Sequence, residues 1–331
     1  MEESEMLVPI LLFIVGLVCL IKGGDWFVDG ASAMARKFHL PELLIGATVV
    51  SIGTTLPEVM VSTMSAVSGH GEIAYGNAIG SVICNAALIA AVTIAVRPGK
   101  TDPKTLKTPV LFFFLAAAIY CVAAYLLGRF TRAVGFVMLG MFVAYMIITV
   151  RQMKTSPQPE TEADAAEEAR ESSEMPTWKM ILFLVLGAAL IAVGARLLVD
   201  NGTKIAQGLG VPESVIALTF VALGTSLPEL VTAITALIKG HNDLSLGNVI
   251  GANVFNLVLV SGVCVTLAPF DVPQSAVLLG HNASLILEIP LMLTVMLILT
   301  VPALVKGKLS RLQGILLLLI YAAFCVVQFS L

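Results

Sequence analysis

The chain has 331 residues, 58% hydrophobic and only 12% charged, with a mean hydropathy of +0.96. That leaves too little polar surface to clothe a water-soluble globule, so the composition excludes one and points to an integral membrane protein. The formal net charge of −3 says little in a bilayer, where the placement of positive charges matters rather than their sum.

Apolar runs near or above the ~20 residues needed to cross hydrocarbon predict ten helices. They fall near 7–28, 41–67, 73–96, 108–127, 132–150, 178–200, 212–238, 244–267, 278–302 and 310–330. The runs are long and continuous, not ten-residue alternations, which disfavours a barrel. The first is preceded by the acidic Met1-Glu2-Glu3-Ser4-Glu5 and shows no small-residue cleavage site, so it is expected to be a retained span. Cys19, Cys84, Cys121, Cys264 and Cys325 all fall inside spans without ligand spacing and read as small apolar residues.

With the N-terminus outside, the cytoplasmic segments hold fourteen Lys and Arg residues and the outer segments three, Arg129, Arg132 and Lys204. The positive-inside rule then predicts an N-out, C-out chain in the cell membrane.

The strongest organising feature is an internal repeat. Residues 41–98 align with 212–269 at a constant offset of 171 with no gap, and 20 of the 58 pairs are identical. Each unit begins Pro-Glu, contains a Gly-Thr-(Thr/Ser)-Leu-Pro-Glu hexapeptide, turns at Gly-His and continues into Gly-Asn-x-Ile-Gly. Five spans precede the midpoint, so the second half enters the membrane from the opposite side. The expected fold is therefore an all-α polytopic membrane protein of two inverted five-helix repeats, 1–150 and 178–331, with its site at the midplane between them. The segment 151–177, rich in Glu, is expected to be a solvated cytoplasmic linker. It has no Asp-x-Asp-x-Asp-Gly calcium loop.

The two hexapeptides, Gly53-Thr54-Thr55-Leu56-Pro57-Glu58 and Gly224-Thr225-Ser226-Leu227-Pro228-Glu229, place a helix breaker and a carboxylate at membrane depth. A charge there costs about 2.5–3.5 kcal/mol even on lenient insertion scales. Pro57 and Pro228 each free the carbonyl four residues back, predicting two spans broken near mid-depth. Bare carbonyls, the hydroxyls of Thr54, Thr55, Thr225 and Ser226, and Glu58 and Glu229 would then line a cavity. Oxygen-only ligands select hard cations, and two carboxylates with several carbonyls suit Ca²⁺. In the following spans, Ser81 and Asn85 lie four apart on one helix face, paired by offset with Ala252 and Asn256. Ser81, Asn85 and Asn256 are expected to face the glutamates, and Asn253 to bond a neighbouring helix. The glycines of Gly76-Asn77-x-x-Gly80 and Gly247-Asn248-x-x-Gly251 are small-xxx-small packing faces; Asn77 and Asn248 have no such packing explanation.

These paired motifs resemble the two alpha-repeats of the cation/calcium antiporter superfamily, in its sodium/calcium exchanger branch of prokaryotic type. The resemblance implies that Glu58 and Glu229 are shared ligands for Ca²⁺ and Na⁺. It further implies that Thr54 and Thr225 offer backbone oxygens to Ca²⁺, and that Thr55, Ser226 and Ser81 offer hydroxyls to Na⁺. The first and sixth spans, with Gly23, Gly24 and Gly194, would resemble helices thought to slide across the core. Relatives often carry Ser where this chain has Ala252. Some carry Asp at the position of Asn256, including potassium-dependent exchangers, and proton-coupled ones tend to be acidic at the places of Gly80 and Gly251. The expected function is therefore Na⁺/Ca²⁺ antiport by a monomer, with no cofactor, no enzymatic activity and no nucleic-acid partner. The alternatives are H⁺/Ca²⁺ exchange, K⁺-dependent Na⁺/Ca²⁺ exchange and a cation channel. An intramembrane hydrolase has no nucleophile–base pair to support it.

Other polar residues are read as peripheral. Asp25, Asp29 and Asp200 are expected at helix ends or in solvent, Lys22 and Arg196 to snorkel, and His70 and His241 to lie at interfacial turns. Glu288 is expected inside a span that begins after His281 and Asn282.

Overall fold

The computed structural model describes residues 3–155, 175–208, 224–274 and 277–330. Within them the chain is predominantly helical. In order come α1 (Glu3–Lys37), α2 (Glu42–Val67), α3 (Gly71–Val96), α4 (Pro103–Leu127), α5 (Arg132–Thr155) and α6 (Thr177–Gly208). There follow α7 (Leu227–Lys239), α8 (Asn242–Leu267), α9 (Ser284–Lys306) and α10 (Arg311–Ser330). Among the described residues nine of these helices are long and apolar enough to cross a membrane. The other, α7, has 13 described residues; most of the span expected ahead of it, including Pro212 and Glu213, lies outside the described residues, as does 156–174 of the expected linker.

The helices form a buried core wrapped by α1 and α6. Leu44, Ile45, Ile79, Val82, Phe113, Val254, Phe255 and Val258 are almost wholly enclosed, whereas α1 leaves Leu7, Leu11, Ile14, Val18 and Ile21 exposed, as lipid-facing side chains require. The long pair α1 and α6 run antiparallel: Gly16 lies against Gly194, Gly23 against Gly187 and Ile191, and Gly30 against Met180 and Leu184. A Cβ on Gly23 would stand 2.8 Å from the Ile191 nitrogen, so only glycine allows this approach.

Two features recur at the repeat offset. The Gly-His turns are conformational copies: Gly69 and Gly240 have φ of +86° and +89°. His70 N–H donates to Ser65 O and His241 N–H to Ala236 O, both at 2.8 Å. The positive φ satisfies the last carbonyls of α2 and α7 where glycine alone is unstrained. Both following helices also switch to a π turn at the repeated asparagine, at Asn85–Ala90 and Asn256–Val260; such turns widen a helix locally and occur frequently at functional sites.

Short strands tie the ends. β1 (Arg129–Phe130) pairs antiparallel with β2 (Phe270–Asp271), over packed rings of Tyr75, Tyr120, Phe130 and Phe270. β3 (Val277–Leu278) pairs with β4 (His281–Asn282) ahead of α9. Glu288 sits in the first turns of α9, accepting from Ser284 Oγ at 2.9 Å and Gln328 Nε2 at 3.1 Å. His281 is exposed before that helix, as expected.

The expectation for Asp25 and Asp29 needs correction. The apolar run ends near residue 28, but the helix continues to Lys37, which puts both acids mid-helix. Lys239 Nζ lies 2.8 Å from Asp29 Oδ1 and 3.4 Å from Asp25 Oδ1, joining α7 to α1. The counterparts of this triad at the repeat offset are Arg196, Asp200 and Ser68; Arg196 and Asp200 pair with each other, exposed on α6, at 3.6 Å. Partly exposed pairs of this kind contribute up to about 1 kcal/mol. Lys239→Ser is accordingly expected to speed hydrogen–deuterium exchange of the α1 amides around Asp25–Asp29 several-fold, with little change in melting temperature.

Candidate cation site

Both motif segments fold into the core, but not alike. In α2 the helix runs through Pro57, preceded by a π turn at Gly46–Val50. The expected break at mid-depth is absent in this half, because a membrane helix tolerates proline where local π adjustment and neighbouring groups satisfy the freed backbone. In the second half Thr225 and Ser226 form a turn and α7 starts at Leu227, with Ser226 at its N-cap. Pro228 there occupies the first helical turn, where its missing N–H would have had no partner anyway.

Glu58 and Glu229 are both wholly buried, as are Thr54, Thr55, Ser226, Ser81, Asn85 and Asn256. The helices that carry the two carboxylates, one from each half, pack against each other. Thr55 Oγ1 donates to Glu229 Oε1 at 3.4 Å, crossing from the first motif to the second. Among the described residues the Glu58 oxygens Oε1 and Oε2, Glu229 Oε2 and Ser226 Oγ have no hydrogen-bond partner. Among the described residues no ion pair joins either glutamate to Lys, Arg or His. Two enclosed carboxylates without a compensating cationic side chain are strongly unfavourable as they stand; a hard cation would supply the missing charge, and free oxygens are of the kind it takes.

The asparagines cross between halves. The π turn that starts at Asn85 packs against α7, the helix of Glu229, and the one that starts at Asn256 packs against α2, the helix of Glu58. Both amide atoms of each asparagine are buried without a partner among the described residues, which calls for a water or ion to satisfy them. Ser81 is buried on α3 one turn before Asn85, and its counterpart Ala252 is also buried. Asn253 points elsewhere, donating to Met296 Sδ at 3.2 Å on α9, as expected.

Two residues that sequence reasoning singled out but gave no role are the cross-links of the site. Asn248 Oδ1 accepts from Thr54 Oγ1 at 3.2 Å, and Asn77 Oδ1 accepts from Thr225 Oγ1 at 3.0 Å. Thr225 therefore meets the first half through its hydroxyl. Ser51, which the sequence did not mark, has its hydroxyl within reach of Gly46 O at 2.8 Å and Asn248 O at 3.0 Å, which share its one proton. Tyr145, from α5, donates to Ala47 O at 2.8 Å and braces the same π turn. The signal that could have found Tyr145 is a lone phenol in an otherwise apolar run. Among the described residues no three His, Cys, Asp or Glu side chains converge on a possible metal position.

The model of the family described as sodium/calcium exchanger protein matches residues 8–151 and 179–330, nearly the whole of both halves. The chain belongs to this family. Among exchanger-family relatives, the putative antiporter CaxA of Alkalimonas amylolytica is 36% identical over 98% of this chain and all of its own length. The sodium/calcium exchanger MaX1 of Methanosarcina acetivorans is 30% identical over 97% of this chain and 99% of its own. Among solved structures, the sodium-calcium exchanger NCX_Mj soaked with Na⁺ and Sr²⁺ superposes with a TM-score of 0.78 at 30% identity, covering 96% of this chain and 98% of that one. This exchanger-family member is thus a multi-pass membrane transporter of the cation/Ca²⁺ antiporter type.

Proposed function

We propose that the protein exchanges Na⁺ for Ca²⁺ by alternating access, through one site that both ions share and that Glu58 and Glu229 form together. The observation that carries this reading is the burial of two carboxylates, one from each half, on helices that pack together and are joined by Thr55 to Glu229, with oxygens that are unpartnered and no ion pair to a cationic side chain among the described residues. Thr54 and Thr225 would supply backbone oxygens to Ca²⁺, Thr55, Ser226 and Ser81 hydroxyls to Na⁺, and Asn85 and Asn256 amide oxygens at the flanks. The buried Ala252 adds no hydroxyl on its side, so the second half offers Na⁺ one ligand fewer than the first. No third acid joins the pair where K⁺-dependent or proton-coupled relatives tend to have one, since Asn256, Gly80 and Gly251 are neutral.

Two inverted five-helix halves, 1–150 and 178–331, joined by the acidic segment 151–177, give this mechanism its frame. The copied Gly-His turns, the π turns at Asn85 and Asn256 and the antiparallel α1–α6 pair all support that reading. So does the pairing of connecting segments. Arg129 with Asp271 joins two segments assigned outside, Lys100 with Lys308 joins two assigned to the cytoplasm, and His241 with Glu42 joins a cytoplasmic segment to the cytoplasmic end of a span. A single chain suffices for both carboxylates, so the functional unit is a monomer.

Two carboxylates carry −2, which one Ca²⁺ balances. If three Na⁺ replace it, one positive charge moves outward per Ca²⁺ taken up, worth about 2.3 kcal/mol per 100 mV. The test is ⁴⁵Ca²⁺ uptake into proteoliposomes loaded with Na⁺, with K⁺ or with an acid interior, at potentials clamped by valinomycin. Uptake is expected only with internal Na⁺, and several-fold faster with the interior positive. An acid interior that drives uptake equally well without Na⁺ would move the protein to proton coupling. Flux that neither saturates nor needs an opposing gradient would favour a channel.

A further inference from the structure

Two polar residues that the proposed ion chemistry does not use, Asn77 and Asn248, obey one rule. Each is the asparagine of its half's Gly-Asn-x-Ile-Gly, and each accepts a hydrogen bond from the first threonine of the opposite half's hexapeptide: Asn248 from Thr54 at 3.2 Å, Asn77 from Thr225 at 3.0 Å. Asparagine and threonine are both 171 positions apart in the two pairs. A chance polar contact between packed helices has no reason to recur with the same two residue types, the same atoms and the halves interchanged. The bond also falls on a particular residue. Thr54 and Thr225 are the motif positions whose backbone oxygens the proposed site needs, and a hydroxyl bound to a fixed acceptor restricts the χ1 and backbone torsions of its own residue.

We infer that Asn77 and Asn248 are positioning residues: each holds the first motif threonine of the other half and so sets the direction in which that threonine's carbonyl meets the ion. The inference rests on the exchanger reading and adds to it a pair of residues that need not touch the ion.

The two arms are not equally stiff. Asn77 is itself oriented, donating from Nδ2 to Ser62 Oγ at 2.7 Å. The counterpart of Ser62 is Ala233, and Asn248 Nδ2 is buried with no partner among the described residues. The Asn248 amide is held through its oxygen, by Thr54. The arm on Thr54 therefore adjusts more easily than the arm on Thr225.

The experiment is a double-mutant cycle on the full chain in Na⁺-loaded proteoliposomes, reading half-saturating Ca²⁺ and maximal rate separately, with the Ca²⁺-dependent rise in melting temperature in detergent as a readout free of transport. Asn248→Ala and Thr54→Val are each expected to raise half-saturating Ca²⁺ about five- to tenfold, the effect of one lost hydrogen bond, with maximal rate kept within about twofold. Their combination should be no worse than either alone. The unpaired combination of Asn77→Ala with Thr54→Val should multiply. Thr54→Ser, which keeps the hydroxyl, should restore the parent value, and the nearly isosteric Val and Ser variants preserve the test if Asn248→Ala does not fold. A parent protein with neither Na⁺-driven uptake nor Ca²⁺-dependent stabilisation overturns the exchanger reading and this inference with it. A parent that exchanges normally, while Asn248→Ala and Thr54→Val multiply or Thr54→Val behaves as Thr54→Ser, overturns the inference alone.

Discussion

Glu58→Gln and Glu229→Gln are each expected to abolish Ca²⁺ uptake while leaving the protein folded. Each substitution keeps the shape of the side chain and removes one of the two negative charges that the buried cation would balance. Taking one partner from a buried ionic pairing typically costs about 3–5 kcal/mol, which lowers affinity roughly a hundredfold or more and takes flux to background at micromolar Ca²⁺. Stability should move the other way. Without a cation two enclosed carboxylates oppose folding, so either Gln variant in metal-free detergent should melt no lower than the parent and should lose the parent's Ca²⁺-dependent rise in melting temperature. Both effects are measurable on one preparation by ⁴⁵Ca²⁺ flux and thermal unfolding. Uptake that survives in either variant would show that the cation route lies elsewhere in the molecule.

The largest structural effect is expected at Gly247. The second half's Gly247 and Gly251 lie on the backbone of α2: a Cβ at Gly247 would collide with the Leu43 carbonyl, one at Gly251 with Ala47 and the Ser51 hydroxyl, and one at Gly46 with the Leu244 carbonyl. The obstacle at Gly247 is main chain that cannot rotate away, so Gly247→Ala must part α2 from α8. Overpacking of this kind costs about 1–3 kcal/mol and sometimes more. A fall in melting temperature of roughly 5 °C or more is expected, together with loss of exchange, because the same contact seats Ser51 and Thr54 on Asn248. Gly140→Ala, at a position where an added Cβ meets nothing within 4 Å among the described residues, is the matched control and should be close to neutral.

Much of this architecture was legible in the chain itself. The constant 171-residue offset located both carboxylates, both Gly-His turns and both asparagine-bearing helices, because a repeat preserves the residues whose geometry is used twice. What was not legible depends on which surfaces meet. The proline of the hexapeptide predicts a break, yet Pro57 lies within a continuous helix while Pro228 opens one; a motif fixes where a proline stands in the chain but not where in a helix it falls. Asp25 and Asp29 read as terminal only because hydropathy ends before the helix does. Their partner Lys239 is more than 200 positions away, and periodicity along one helix carries no record of such a contact. The links of Asn77 to Thr225 and of Asn248 to Thr54 were hidden for the same reason. Each half advertises its motif, but only the fold shows that each motif is held by the other half.

The most direct test of the shared site is equilibrium binding of ⁴⁵Ca²⁺ to the purified protein, titrated with Na⁺ and, separately, with K⁺. The account predicts one Ca²⁺ per chain, displaced cooperatively by Na⁺ and not by K⁺, with no binding to Glu58→Gln or Glu229→Gln. Ca²⁺ that stays bound at saturating Na⁺, or that binds undiminished when either carboxylate is neutralised, would contradict it.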